Sequence, residues 1–236
     1  MSQEIRIAVA KVNKYAVRES GDTLEIIERP SGGISVVLAD GQRSGKSAKK
    51  ISTKVVRKVV SLLADGVRDG AAARAASDYL FNERQGKVSA TLNIVSIDLA
   101  SKTIVVTRNN PSPVYISYPD RMVVLDKEST SVGTRRSTRP VITHLDIEND
   151  MTILAFTDGV VHAGTRYGTP MDVQAVFGHL IELGLPTKGV ADAILSAAVK
   201  LDQGRPSDDI SVFVLRVLEH FGDNARRMTV RVPIGP

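Results

Sequence analysis

Apolar residues follow two different periods along this chain. Residues 3–12 alternate between apolar and polar side chains, which is the two-residue period of a β-strand. Residues 34–39 are a continuous apolar run of strand length, typical of a strand buried on both faces. From Ser47 the apolar spacing changes to three and four residues, with lysines and arginines between, until Gly66 ends the pattern. This stretch therefore predicts strands first and an amphipathic helix after them.

The same patterns predict the rest of the chain. Further helices are expected at 71–84, 173–183 and 190–201. Further strands are expected at 24–28, 90–98, 103–108, 114–117, 122–125, 141–145, 151–157 and 210–218. Residues 126–140 are polar and aperiodic, so they are expected to form a loop. Helices come in pairs between runs of strands, whereas a P-loop fold would alternate strand and helix throughout. The order favours an α+β fold with packed sheets and helices outside.

Composition narrows the possible classes. A chain of 236 residues without a repeat or an obvious linker suits one main domain with a short appendage. It has no cysteine, which excludes disulfides, thiolate metal sites and cysteine nucleophiles. No apolar run approaches the roughly 18–20 residues that span a bilayer, and the polar start does not resemble a signal peptide. We therefore expect a cytoplasmic protein that does not bind membranes.

The chain is basic, with a formal net charge of +5 and a pI of about 9.5. Its basic residues are spread along the sequence, and aromatic residues do not interleave with them. No nucleic-acid-binding motif is present, so we expect no nucleic-acid partner. The charge indicates a solvated basic surface, and it leaves open an acidic or phosphorylated protein partner.

One stretch, ISVVLADGQRSGKS at 34–47, resembles a nucleotide-binding P-loop but departs from it. That motif places four residues between its first glycine and Gly-Lys-Ser, whereas Gly41 and Gly45 have three between them. Asp40 stands where the first glycine should be, and its carboxylate would repel a nucleotide phosphate. The stretch therefore argues against a P-loop.

Three strongly apolar strands instead have an acidic residue at one end. Asp40-Gly41 and Asp158-Gly159 follow two of them, and Asp208-Asp209 precedes the third. Each Asp-Gly pair alone is also common turn chemistry. Taken together, three carboxylates near one another would repel unless a divalent cation lay between them, and Mg²⁺ and Mn²⁺ prefer such oxygen ligands. A glycine after the acid also lets the main-chain carbonyl approach the ion.

At these residues the chain resembles the metal-dependent serine/threonine protein phosphatases of the PPM family, in their bacterial SpoIIE-like branch. The motifs are Ala39-Asp40-Gly41, Phe156-Thr-Asp158-Gly159-Val160 and Ser207-Asp208-Asp209-Ile210-Ser211. Ser20-Gly21-Asp22 resembles the family's first motif, and the segment Arg108–Val114 resembles an Asn-X-X-X-X-Pro stretch of this branch. The ordered set covers roughly residues 5–217.

The resemblance implies an αββα sandwich, in which two antiparallel sheets are flanked by helix pairs. It implies a phosphatase domain at 1–218, followed by a tail or edge-strand extension at 219–236. The bare domain and short glycine-rich loop are most similar to RsbX-like members.

The implied chemistry is hydrolysis of protein phosphoserine or phosphothreonine by a water activated between two Mn²⁺ or Mg²⁺ ions. By the resemblance, Asp40 bridges the two ions, and the Gly41 carbonyl holds one of them. Asp158 and Asp208 hold the other, and Asp22 orients a water. Asp40 and Asp22 are thus the implied catalytic residues.

The chain departs from the family in its glycine-rich loop. Gln42 stands where many members have a histidine that is a candidate general acid, and Arg43 replaces the loop's middle glycine. Arg43 and Arg18 are candidate contacts for the substrate phosphate, and Arg43 could equally point into solvent. A metal-bound water could protonate the leaving group instead. We expect His162 to be structural or on the surface.

RsbX-like phosphatases act in bacterial stress signalling, so the implied partner is a phosphorylated anti-sigma antagonist or stressosome-like protein in a sigma-factor partner-switching system. Two other classes stay open. A catalytically silent PPM-like domain would be a protein-binding module, and it would typically lack one of the acids. A P-loop hydrolase would turn over ATP.

Overall fold

The computed structural model describes residues 2–233 and contains two five-stranded sheets and five α-helices. The strands are β1 (Gln3–Val12), β2 (Asp22–Glu28), β3 (Ile34–Gly41), β4 (Ala90–Asp98), β5 (Thr103–Asn109), β6 (Val114–Ser117), β7 (Met122–Leu125), β8 (Val141–Asp146), β9 (Thr152–Phe156) and β10 (Ile210–Glu219). The helices are α1 (Gly45–Ala64), α2 (Asp69–Arg84), α3 (Asp158–His162), α4 (Val173–Glu182) and α5 (Thr187–Leu201), with a short 3₁₀ turn at Thr165–Tyr167.

Every strand pair in both sheets is antiparallel. The first sheet has the strand order β1-β10-β9-β6-β7, and the second has the order β2-β3-β4-β5-β8. The inner faces of the two sheets share an apolar core that includes Val36, Val95, Ile104, Ile153 and Phe213. This arrangement confirms the predicted α+β sandwich of two antiparallel sheets.

Each sheet is covered on its outer face by a pair of helices. The buried stripe of α1, with Val55, Val59 and Leu63, packs with the α2 alanines over Val37 and Ala39 of β3. On the other side, α4 and α5 cover β10 and β9 through a second buried cluster. The alternation along β3 explains both layers, since successive side chains of a strand point to opposite faces.

Most of the predicted elements are present, and the differences lie at their ends. Strands β2 and β3 extend two residues beyond their predicted limits, to Asp22 and to Gly41. Helix α3 was not predicted, because five residues are too few to show a helical period. Residues 126–140 form the expected loop, apart from one bridge between Val132 and Ala90.

The C-terminal segment 220–233 contains no helix or strand. It is connected to the β2–β3 hairpin through Arg226, which donates to Glu28 (3.2 Å) and to the Gly32 carbonyl (3.1 Å). Across residues 2–233, no helix has the length and apolarity needed to cross a membrane.

Candidate metal centre

The sheet register places two of the predicted site residues directly opposite each other. Strands β2 and β3 pair Asp22 with Asp40 at the end of the hairpin. Asp22 is fully buried, whereas the Asp40 side chain is only partly covered and lines an open cleft. Two predicted site carboxylates from different motifs thus lie side by side.

Asp22 is held by hydroxyl groups from the other sheet. Its Oδ2 accepts hydrogen bonds from Ser211 Oγ (2.6 Å) and Thr157 Oγ1 (3.0 Å). Ser211 N in turn donates to Thr157 Oγ1 (3.0 Å). These bonds join β2 to the ends of β9 and β10 across the sandwich. They fix Asp22 with Oδ1 buried and without a hydrogen-bond partner among residues 2–233.

Asp158 and Asp208 approach the pair from β9 and β10. Asp158 is the first residue of α3, and a Cβ on the following Gly159 would lie 2.1 Å from the main-chain oxygen of Asp209. Only glycine permits this close approach, which places Asp158 next to the start of β10. Asp158 Oδ1 is also buried without a partner in the described part of the chain.

Burial raises the pKa of three of these carboxyl groups, and charge repulsion adds to this effect at Asp40 and Asp208. Burial, together with the neighbouring Asp22, Asp158 and Asp208, raises the pKa of Asp40 to about 10. Burial also raises the pKa of Asp22 and that of Asp208. In the absence of a cation, the folded protein therefore disfavours having all these carboxylates ionised together.

Two glycines let α1 come close to the carboxylates. A Cβ on Gly41 would lie 2.1 Å from the carbonyl oxygen of Ala48, and one on Gly21 would lie 2.8 Å from the Ala48 Cβ. The first turns of α1 are thereby packed against the ends of β2 and β3. The predicted ligand glycine is thus required by packing as well.

A divalent cation would fit this donor set. Over residues 2–233, no three acidic or histidine side chains converge closely enough to form a complete ligand set on their own. However, one buried oxygen each of Asp22 and Asp158 lacks a hydrogen-bond partner in this range, and the pKa of Asp40 is raised. A cation bound between these side chains would pair with the oxygens and favour the ionised form of Asp40. Mg²⁺ retains several waters beside a few carboxylates, so an incomplete protein shell suits such an ion.

The sequence pattern did not single out Asp209, which ties the site to the β1–β2 loop. Its side chain is 3% exposed, and it accepts hydrogen bonds from Lys14 N (2.9 Å) and Gly21 N (2.7 Å). Its place directly after Asp208 in the closing motif was the available signal.

Two lysines that were not predicted also lie at the site. Lys11 Nζ and Lys49 Nζ both donate to the main-chain carbonyl of Asp22, at 2.6 and 2.7 Å. Lys49 also donates to Thr23 Oγ1 (2.9 Å). The positive charges of Lys11 and Lys49 partly neutralise the negative charge of the nearby carboxylates. Nothing in the local sequence distinguishes them from other surface lysines.

A cleft of about 770 Å³ lies at the site, and its lining includes Asp40, Asp158 and Asp208. Arg43 also lines this cleft and is exposed, with φ at +78°, a conformation that glycine adopts more easily. Arg18 is exposed and is not part of the lining. The structure therefore brings one of the two predicted phosphate-contacting arginines to the cleft.

Gln42 and His162 also line the cleft, and neither forms a hydrogen bond with Asp22 or Asp40 among the described residues. Gln42 accepts a hydrogen bond from Ser89 N (3.2 Å) and fixes the loop after β3. His162 Nδ1 lies 3.9 Å from Asp158 Oδ2, and its side chain is 60% exposed. A surface position was expected for this histidine.

A protein-family comparison assigns the fold and motifs to one family. Residues 30–218, most of the chain, match the model of the family described as stage II sporulation protein E (SpoIIE). The chain belongs to the SpoIIE family. This confirms the resemblance to SpoIIE-like PPM phosphatases on which the predicted site residues were assigned.

Solved structures of PPM-type phosphatases share the fold of this SpoIIE-family chain. The phosphatase domain of SpoIIE from Bacillus subtilis, solved with a fragment of its regulatory domain, matches with a TM-score of 0.79 at 16% identity. That match covers 93% of this chain and 65% of the other. RsbX in complex with magnesium matches at 0.68 and 15% identity, covering 90% and 95% of the two chains.

The catalytic domain of the serine/threonine phosphatase PstP, solved with two manganese ions, matches at 0.67 and 16% identity, covering 92% of this chain and all of the other. At these identities the likeness establishes the fold alone. No curated protein sequence matches the chain.

Proposed function

We propose that this SpoIIE-family chain is a metal-dependent phosphatase that hydrolyses phosphoserine or phosphothreonine esters in a protein. The observation that supports this most strongly is the cleft lined by Asp40, Asp158 and Asp208, with Asp22 opposite Asp40 in the β2–β3 pairing. Burial, together with the neighbouring carboxylates, raises the pKa of Asp40 to about 10, and bound divalent cations would lower it.

In this proposal Asp40 and the Gly41 carbonyl would hold one ion, and Asp158 and Asp208, with Asp40, would hold the other. Two bound Mn²⁺ or Mg²⁺ ions supply a water of lowered pKa and neutralise charge on the transferring phosphoryl group. Asp22 would orient the attacking water through Oδ1, because Ser211 and Thr157 occupy its Oδ2 and Oδ1 has no hydrogen-bond partner within residues 2–233.

The remaining residues of the cleft bind and position the substrate. Arg43 is the candidate contact for the substrate phosphate, since it is exposed on the cleft lining beside Asp40. Gln42 cannot donate a proton to the leaving serine oxygen, so that proton comes from water. Arg18 is less well placed to contact the substrate phosphate, because it is not among the residues that line the cleft.

The substrate that we propose is a phosphorylated antagonist or stressosome-like protein of a bacterial partner-switching system, in the cytoplasm. This follows the resemblance to RsbX-like members and is supported by the shared fold with RsbX. The phosphatase domain would extend from residue 1 to 218, with 219–236 as a tail.

A second candidate is a catalytically silent protein-binding module. The observations that favour it are Gln42 at the position of the candidate general acid and the lack, among residues 2–233, of three acidic side chains converging on one point. The presence of all four aspartates argues against it.

Hydrolysis of p-nitrophenyl phosphate with EDTA, Mg²⁺ or Mn²⁺ distinguishes these functions. We expect metal-dependent activity in the wild type, and a loss of at least a hundredfold in Asp40→Asn, Asp158→Asn and Asp208→Asn. ATP serves as the control substrate. Inactivity with every metal would favour the binding module, and ATP turnover that survives Asp40→Asn would contradict the metal centre.

A further inference from the structure

Helix α1 carries charge of a single sign. It contains six basic residues and no acidic one, and this exceeds the formal net charge of the whole chain, which is +5. By contrast, α2 and α5 mix basic and acidic residues. Helix α1 therefore differs from these helices in carrying basic residues without acidic ones.

Four of the six basic residues of α1 lie on the face opposite its buried stripe. Lys46, Lys50, Lys54 and Arg57 follow one another at spacings of four, four and three residues, which places them on one side of a helix. The buried residues, such as Val55 and Val59, occupy the other side. We call Lys46, Lys50, Lys54 and Arg57 the basic face.

Part of this face has no acidic partner among the residues that the structure describes. Lys54 pairs with Glu83 of α2, and Lys46 lies 3.9 Å from Glu19 with 81% of its side chain exposed. Lys50 and Arg57 are exposed, and neither forms an ion pair with any residue in the 2–233 range. Lys50 and Arg57, together with the largely exposed Lys46, are therefore available to an outside partner.

The basic face begins at the rim of the catalytic cleft. Arg43 and Ser44, just before α1, line the cleft beside Asp40. From Lys46 to Arg57 the helix rises by about 16 Å. An extended peptide covers that distance with about five residues. A segment whose phosphoserine lies in the cleft could thus lay its flanking residues along the helix.

We propose that the basic face docks an acidic segment flanking the phosphorylated residue of the protein substrate. Carboxylates of the segment would meet Lys46, Lys50 and Arg57, while the phosphoserine enters the cleft. Charge complementarity of this kind speeds encounter and selects partners more than it adds affinity. The proposal rests on the phosphatase function above, and it adds a substrate class to it.

The test is a binding measurement that does not depend on turnover. Two fluorescein-labelled phosphoserine peptides of equal length would be compared by anisotropy, one with Asp and Glu in the five to ten flanking positions, the other with Asn and Gln. At low salt we expect the wild type to bind the acidic peptide about fivefold more tightly. The preference should disappear near 1 M salt, where the screening length is about 3 Å.

The variant that tests the face is Lys46→Gln/Lys50→Gln/Arg57→Gln, because glutamine keeps helix propensity. It should lose the preference for the acidic peptide and keep wild-type hydrolysis of p-nitrophenyl phosphate. The matched control, Lys102→Gln/Lys188→Gln/Lys200→Gln, removes the same charge from exposed positions off α1 and should keep the preference.

Three results would overturn the proposal. One is equal binding of the two peptides by the wild type, and another is an equal effect of both triple variants. The third is that the α1 variant loses only its binding to phosphatidylserine vesicles, which would make the face a membrane-binding surface. Inactivity toward p-nitrophenyl phosphate with intact peptide preference would instead contradict the phosphatase function and leave the docking face standing.

Discussion

Asp209 holds the loop that precedes Asp22. Its carboxylate accepts the main-chain N–H groups of Lys14 and Gly21, and thereby holds the loop that leads into Asp22. Hydrogen bonds to a buried carboxylate contribute about 1.5–3 kcal/mol each. Replacing Asp209 by alanine would leave both N–H groups without this acceptor.

We therefore expect Asp209→Ala to lower the free energy of unfolding by about 3 kcal/mol or more, measured by urea denaturation in EDTA. Asp209→Asn keeps one carbonyl acceptor and should lose less. The same order should appear in Mn²⁺ affinity. Equal losses of unfolding free energy in the two variants, or an unaffected alanine variant, would show that these hydrogen bonds of Asp209 are unimportant.

Asp40 makes the metal-free protein sensitive to pH. Its pKa in the folded protein, about 10, lies above its ordinary value of 3.8, so folding binds a proton between these values. The contribution of Asp40 to stability is therefore fully present below pH 3.8 and is lost as the pH rises toward 10.

In EDTA, the melting temperature of the wild type should consequently fall between pH 5 and pH 8, and it should fall less in Asp40→Asn. Mn²⁺ at pH 8 should raise the melting temperature of the wild type, since a ligand that binds only the folded state stabilises it. It should raise that of Asp40→Asn far less. A wild type whose pH response matches that of the variant would contradict the raised pKa.

At the scale of elements, the contact between α1 and β3 determines whether the site can form. A Cβ on Gly41 would lie 2.1 Å from the carbonyl oxygen of Ala48, and main-chain atoms cannot move aside cheaply. We expect Gly41→Ala to cost about 1–3 kcal/mol of stability. It should also weaken Mn²⁺ binding by shifting the ligand carbonyl.

Gly178→Ala is the matched control in α4. A Cβ there would meet only Met122 Cε at 3.5 Å, an ordinary contact, and alanine favours a helix over glycine by about 0.5–1 kcal/mol. Thermal unfolding of the two variants side by side measures the difference. Equal stability of Gly41→Ala and Gly178→Ala would contradict the close approach of α1 to β3.

Long elements could be predicted from the sequence because their periods repeat several times. Strands β4, β6 and β7 begin and end where the pattern places them, and α1, α2 and α5 differ by two or three residues at their starts. Helix α3 could not be found in this way. It has only five residues, and its first two, Asp158 and Gly159, are equally typical of a turn.

For the whole molecule, the sequence shows the candidate ligand motifs but not the residues that hold them in place. Asp40 and Asp158 stand beside apolar strands and glycines, which is a local signal. Asp209 instead bonds to residues 188 and 195 positions away, and Lys11 bonds to Asp22 from a neighbouring strand end. Such partners depend on how the two sheets pack, which no local pattern records.

The most direct test of the account is phosphate release from a phosphoserine peptide, measured for the wild type and Asp40→Asn in Mn²⁺ and in EDTA. The account predicts release by the wild type in Mn²⁺ and at least a hundredfold less in the other three conditions. Release that continues in EDTA or in the Asp40→Asn protein would contradict a metal centre built on Asp40.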